Sequence, residues 1–261
     1  MNGLDNWLQT PPGRYALAWE QAQFDAVVAD IFGYHALQLG LSAAIDALAA
    51  NRMPHRWRAA LLAPVTARAG TAVADASTAS STLRTALVAS PAALPFPEAS
   101  LDLIALPHTL DCGSDPQAVL REVERVLVHE GRMVITGVNP ASLWHLSKAL
   151  PAAGQSVSPH GLRALLRNTE LELQTVRHGG HGFAPRVQRD DPLPGRFDRW
   201  GAHLWPTLGA LWCAVAVKRS RGAMLVGPAW KTPATAGAQA GVAQRTKPAT
   251  NGLSAQSNGS D

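Results

Sequence analysis

Apolar residues in this chain fall into short unbroken runs separated by stretches with a helical period. Residues 101–106 and 133–138 are two such runs without polar alternation, which predicts strands covered on both faces, as in a parallel sheet with helices on either side. Between them Asp115 is a natural N-cap and Pro116 occupies the first helical position, where a missing N–H costs nothing. Val119, Leu120, Val123, Val126 and Leu127 then fall on one face, and Gly131 is expected to close the helix in the left-handed conformation. The stretch reads as strand, helix, strand: a βαβ unit.

The same reading extends in both directions. Residues 12–32 predict a helix with Tyr15, Trp19, Ala22, Ala26 and Ile31 on an irregular apolar face. Residues 35–39 are a short apolar run ending at Gly40, and 42–51 predict a helix, so strand, glycine and helix follow one another. Residues 58–62 and 87–89 are the next strands. The Ala, Ser and Thr-rich stretch 70–85 between them reads as loop with at most one helical turn. Downstream, Ser158 caps a helix over 159–167, residues 171–176 alternate as a strand with one wet face, and 211–218 form a buried final strand. Residues 197–204 predict a further helix. The Gly- and Pro-rich stretch 179–195 is a candidate substrate lid.

Composition narrows the picture. The chain has 261 residues, 46% hydrophobic and 16% charged, enough for one α/β domain with a large core. From residue 231 onward Ala, Gly, Ser, Thr, Gln and Pro dominate, so the expected division is a domain over 1–230 and a disordered tail over 231–261. Cys112 and Cys213 lie too far apart to suggest a metal pair or a disulfide framework, and the reducing cytoplasm is the expected compartment. No metal site is expected. The N-terminus lacks a basic start followed by an apolar run, and no stretch approaches the ~18 to 20 apolar residues of a membrane span. The formal net charge of +4 invites an RNA or other anionic partner, yet no dense Lys/Arg block is present. Basic residues gather between Arg186 and Arg221, with Trp200, Trp205 and Trp212 among them, although Trp212 lies in a buried-strand pattern.

Pro107 and His108 follow a predicted strand at its C-terminal end, where open α/β sheets bind ligands. His108 is the candidate general base, because an unperturbed imidazole titrates near neutrality; the alternative is a loop histidine that only bonds backbone. Asn139 and Trp144, in the turn after the next strand, are candidates to line a substrate pocket.

The succession LPF, SLDLI, LREVERVL and EGRMVITG resembles the second half of class I S-adenosylmethionine (SAM) dependent methyltransferases of the type 11 kind. The resemblance implies a Rossmann-like α/β fold: a mostly parallel seven-stranded sheet with an antiparallel last strand and helices on both faces. It implies SAM as cofactor and places Gln38, Gly40, Ser42, Ser90 and Pro107 around it. In the family an acidic residue and a Gly-x-Gly-x-Gly turn follow the first strand. Aligned on Gly40, this chain has Gln38 for the acid and Ser42 and Ala44 for the later glycines. The segment after residue 62 offers no acid for the ribose, and Ser90 stands where an adenine-binding acid is common. Asp111 and Cys112 occupy positions where Glu-His is frequent, and Asp102 matches an acid with a mainly structural role.

Two functions follow as expectations. One is a SAM-dependent methyltransferase acting on a small molecule, in which the protein aligns nucleophile, methyl and leaving sulfur. The other is a non-catalytic binding or regulatory protein that keeps the fold with an eroded cofactor site.

Overall fold

A strand apolar on both faces needs cover on both sides, and the order of elements supplies it. The computed structural model describes residues 2–61, 87–146, 150, 156–181 and 206–219. The expected tail, the helix over 197–204, most of the 179–195 stretch and the 70–85 loop lie outside these residues. Helices α1 (Asn2–Leu8) and α2 (Pro11–Val28) lead into strands β1 (His35–Leu39), β2 (His55–Leu61), β3 (Leu87–Ala89) and β4 (Leu101–Pro107). Helix α3 (Pro116–Val126), strand β5 (Leu127–Val138), helices α4 (Leu143–Leu146) and α5 (Pro159–Leu166), and strands β6 (Leu171–Gly179) and β7 (Leu211–Lys218) follow.

The sheet runs β3-β2-β1-β4-β5-β7-β6. β3, β2, β1, β4 and β5 are parallel, and β7 is inserted antiparallel between β5 and β6, as the resemblance implied. On one face Leu37, Leu39, Ile104, Leu106, Met133 and Ile135 pack with Val119, Leu120 and Val123 of α3 and with Leu162 of α5. On the other, Ala36, Leu103, Ala105, Val134 and Cys213 meet Phe24 and Val28 of α2.

Local chemistry sets the helix starts. Thr10, Asp115 and Ser158 each cap a helix whose first turn contains proline, accepting from Gly13 N, Gln117 N and Gly161 N. At the other end of α2, Asn51 Nδ2 donates to the carbonyls of Val28 and Ile31, at 2.8 and 3.1 Å, so the helix stops at Val28 and not at residue 32. Asp102 accepts from the backbone N–H groups of Tyr34 and His35 and fixes the entry of β1 beside β4.

Two expectations are corrected. Residues 42–51 form successive turns and no helix. Side chains compete for the groups a helix would use: Gln38 bonds Ile45 O and Ala47 N, Gln21 bonds both backbone groups of Asp46, and Asp46 Oδ1 accepts from Leu48 N. Gly131 likewise does not end α3. The helix stops at Val126 and Leu127 is extended, paired with Leu101 in the sheet. The left-handed residue is Glu130, at φ 61, inside a register shift near the start of β5. Gly131 is needed for closeness instead, since a Cβ there would lie 2.8 Å from Val128 O.

The core is densest where β5 meets β7. Gly137 pairs with Trp212, whose indole is fully buried and donates to Val138 O at 3.3 Å. A Cβ on Gly137 would stand 2.7 Å from Trp212 Cζ2. Gly137→Ala is therefore expected to lower stability by about 1 to 3 kcal/mol through overpacking, read as a lower urea midpoint with an unchanged slope. An unchanged midpoint would mean that the indole moves aside at no cost.

Candidate functional site

In an open sheet of this kind ligands bind beyond the carboxyl ends of the strands, where β1 and β4 diverge from their connections. Gly40, directly after β1, has φ 96, and its N–H donates to Ala59 O of β2 at 3.0 Å. Thr109 Oγ1 donates to Leu39 O at 2.6 Å, tying the end of β1 to the chain after β4. A Cβ on Gly40 would stand 3.0 Å from Pro107 O and 3.1 Å from Thr109 Oγ1, so only glycine permits this turn. Leu41 (φ 42) and His108 (φ 51), the residues that leave this apposition on each strand, are also left-handed. Such backbone strain in residues with a Cβ gathers at functional sites.

His108 is fully buried between two carboxylates. Its Nε2 lies 2.7 Å from Glu20 Oε1 of α2, and its Nδ1 lies 2.9 Å from Asp111 Oδ2. Burial opposes charge on the ring, but the adjacent Glu20 carboxylate and the hydrogen-bonded Asp111 carboxylate outweigh it and push the pKa up to about 10. An imidazolium has no lone pair with which to take a proton, so the general-base role expected of His108 does not fit this geometry. Asp111 Oδ2 also accepts from Val138 N at 3.1 Å, joining β4 to the end of β5. The Glu20–His108 contact is an ion pair without hydrogen-bond alignment, and among the described residues neither Glu20 oxygen accepts a hydrogen bond. Asp111 Oδ1 and Thr136 Oγ1 are likewise buried and unpartnered there.

The neighbouring thiols are not nucleophiles at neutral pH. Burial first, then the Asp111 charge, pushes Cys112 up to about 11; burial first, then Glu20, pushes Cys213 up to about 12.

The other predicted site residues have structural partners. Gln38 is fully buried, with Nε2 on Ile45 O (2.8 Å) and Gly40 O (3.3 Å) and Oε1 accepting from Ala47 N (3.0 Å), so its amide is taken up by the loop it organises. Ser42 is buried in that loop, and Ser90, after β3, forms an isolated bridge with Ala93. Asn139 donates to Thr207 O and Gly209 O and accepts from Ala141 N, which engages its whole amide. Trp144 is buried, tilted against Tyr15 at 5.9 Å, within a cluster of Trp7, Leu8, Ala210 and Leu211. Asn139 and Trp144 therefore brace the edge of the sheet, and neither opens into a described pocket. A cleft of about 350 Å³ lies at the opposite edge, lined by Arg163, Leu166, Arg167, Leu171, Leu173 and Arg219 among others.

Glu20 was missed by sequence reasoning. A glutamate amid the polar positions of a helix with an irregular apolar face looks solvated, and only a count of which α2 positions meet the sheet places it inside. The residues at this edge fit SAM in two respects: a glycine-only turn, and a buried carboxylate lacking hydrogen-bond donors. Gln38 supplies no charge. Among the described residues no His, Cys, Asp and Glu cluster could hold a metal ion.

The raised pKa has a sign. A ring that titrates near 6.5 when unfolded and near 10 when folded contributes stability that is full below about pH 6.5 and is lost as pH rises through 10. His108→Asn tolerates the left-handed backbone but removes the imidazolium, and breaking a buried ion pair should cost about 3 to 5 kcal/mol near neutrality. The difference between wild type and variant should shrink from pH 7 to pH 10 in denaturation curves. A difference independent of pH would show that the folded ring is neutral.

Residues 37–135 match the family model described as Methyltransferase domain. The chain is 35% identical over 137 residues to the uncharacterized protein YafS of Escherichia coli K12, an alignment covering 51% of this chain and 54% of the relative. It thus spans about half the length of the curated relative it matches. Among solved structures it resembles a Thermotoga maritima SAM-dependent methyltransferase described as a possible histamine N-methyltransferase, with TM-score 0.55, 14% identity, and coverage of 84% of this chain and 96% of that one. Another similar structure is a chain of a Haloferax volcanii complex that contains the Trm112 methyltransferase activator, with TM-score 0.51, 19% identity, and coverage of 85% and 98%. The stretch that matches the methyltransferase-domain model runs from within β1 through most of β5, and the chain shares its Rossmann-like fold with these two structures.

Proposed function

We propose that the protein is a SAM-dependent methyltransferase whose acceptor is a small molecule, with the donor held beyond the C-terminal ends of β1 and β4. The observation that carries this reading is the turn at Gly40, closed against Pro107 and Thr109 at the ligand edge of a sheet whose residues 37–135 match the methyltransferase domain. SAM supplies a methyl already activated on a sulfonium. What remains for the chain is to position donor and acceptor and to exclude water.

The described residues suit that limited task. Gly40 turns the backbone, Ser42 and Ser90 offer neutral hydroxyls, and Pro107 ends β4 beside the turn. His108, held between two carboxylates, is a fixed cation and not the base. Two free cysteines agree with the reducing cytoplasm as its compartment. Among the described residues no helix is long and apolar enough to cross a membrane. Most of the basic segment from Arg186 to Arg221, the basis for an RNA or anionic partner, lies outside the described residues.

A second reading, a non-catalytic binding protein with this fold, is favoured by one observation: Gln38 replaces an acid with an amide fully engaged by its own loop.

Calorimetric titration with SAM separates the two. A dissociation constant on the order of 0.1 mM is expected, weaker than a site with a full set of charge-assisted bonds. Gly40→Val, strained at φ 96 and pressed against Pro107 O, should abolish binding. No heat at millimolar SAM from a folded wild type would leave the non-catalytic reading standing.

A further inference from the structure

We infer that Glu20 supplies, from helix α2, the carboxylate that receives the ammonium of the methionine portion of SAM, in place of the acid that Gln38 does not provide. The inference rests on the donor site proposed above and adds the residue that recognises its charged end.

Position comes first. Glu20 reaches His108, the residue after Pro107, and the Pro107 carbonyl lies 3.0 Å from where a Gly40 Cβ would stand. The next residue of α2, Gln21, bonds the backbone N–H and carbonyl of Asp46, at 3.2 and 2.9 Å, in the same loop that Gln38 organises through Ile45 and Ala47. The Glu20 carboxylate is therefore set at the junction of the loop after β1 and the turn after β4.

Chemistry comes second. A buried carboxylate normally collects hydrogen bonds, because desolvating it without them is costly. Glu20 is fully buried, and beyond its ion pair with His108 it accepts none from the described residues. Of its neighbours, Asp46 is paired with Arg58 and accepts from Leu48 N, and Asp111 Oδ2 accepts from Val138 N, while Asp111 Oδ1 is buried without a hydrogen-bond partner among the described residues. Two carboxylates around one imidazolium leave an excess negative charge beside the turn. A primary ammonium, with three N–H donors and one positive charge, answers both the unsatisfied oxygens and the charge. The unpartnered Thr136 Oγ1, on the strand that faces α2, is a further acceptor for it.

The test compares two ligands that share the adenosine part. S-adenosylhomocysteine carries the ammonium; methylthioadenosine does not. In calorimetric titrations of the full chain, wild type should bind S-adenosylhomocysteine about tenfold or more tightly than methylthioadenosine, and Glu20→Gln should remove that preference while leaving methylthioadenosine within about twofold. Glu20→Asp, which keeps the charge but shortens the reach, should reduce the preference a few-fold; it serves if Glu20→Gln fails to fold by circular dichroism. Equal weakening of both ligands would reduce Glu20 to a structural role, and an unchanged preference in either folded variant would overturn the inference while the donor site stands. A wild type that binds neither ligand would overturn the donor site and the inference together.

Discussion

A helix that lays a carboxylate into the interior must meet a cation there, and in this protein Glu20 of α2 meets His108 at the end of β4. That contact joins three elements that the backbone leaves independent. His108 and Asp111 follow β4, Asp111 holds the first free N–H at the end of β5, and Glu20 brings α2 across both. Apolar packing alone would hold α2 on the sheet through Phe24 and Val28. The ion pair decides where along the sheet its N-terminal half stops, because a buried charge cannot slide off its partner without an energetic penalty of several kcal/mol.

The edge of the sheet is shaped by the same logic of engaged polar groups. Gln38 would be an odd residue in a strand buried on both faces, and it is tolerated because its amide replaces the hydrogen bonds that a helix over residues 42–51 would have made internally. Together with Gln21 and Asp46, this side chain exchanges a helix for a series of turns. Glu20, arriving from another element, sets a carboxylate against His108 just after β4.

Histidine at the end of β4 shows how environment overrides intrinsic chemistry. In isolation its ring is the side chain best suited to exchange protons at neutral pH. Flanked by Glu20 and Asp111 it becomes a fixed cation, a structural counter-charge whose proton is held until about pH 10. Asn139 and Trp144 tell the same story in neutral terms: both types are common in ligand pockets, and here every polar group of Asn139 and the whole indole of Trp144 are engaged within the protein.

By itself the sequence determined the elements whose information is local. Uninterrupted apolar runs specified β4, the second half of β5 and β7, cap-then-proline pairs placed the starts of α3 and α5, and the family resemblance implied a seven-stranded sheet with its last strand reversed. Each of these strands and caps rests on a side-chain period or on a hydrogen bond that spans a few residues. Only the tertiary structure decided the rest. α3 ends at Val126 because Leu127 is captured by Leu101 of a neighbouring strand, and residues 42–51 are turns because Gln21 and Gln38 reach in from elsewhere. Glu20 became the buried partner of His108, 88 positions along the chain, because α2 packs over β4 and β5. Charge pairing between distant elements leaves no periodic mark on either segment, so the chemistry of the site was hidden where the architecture was plain.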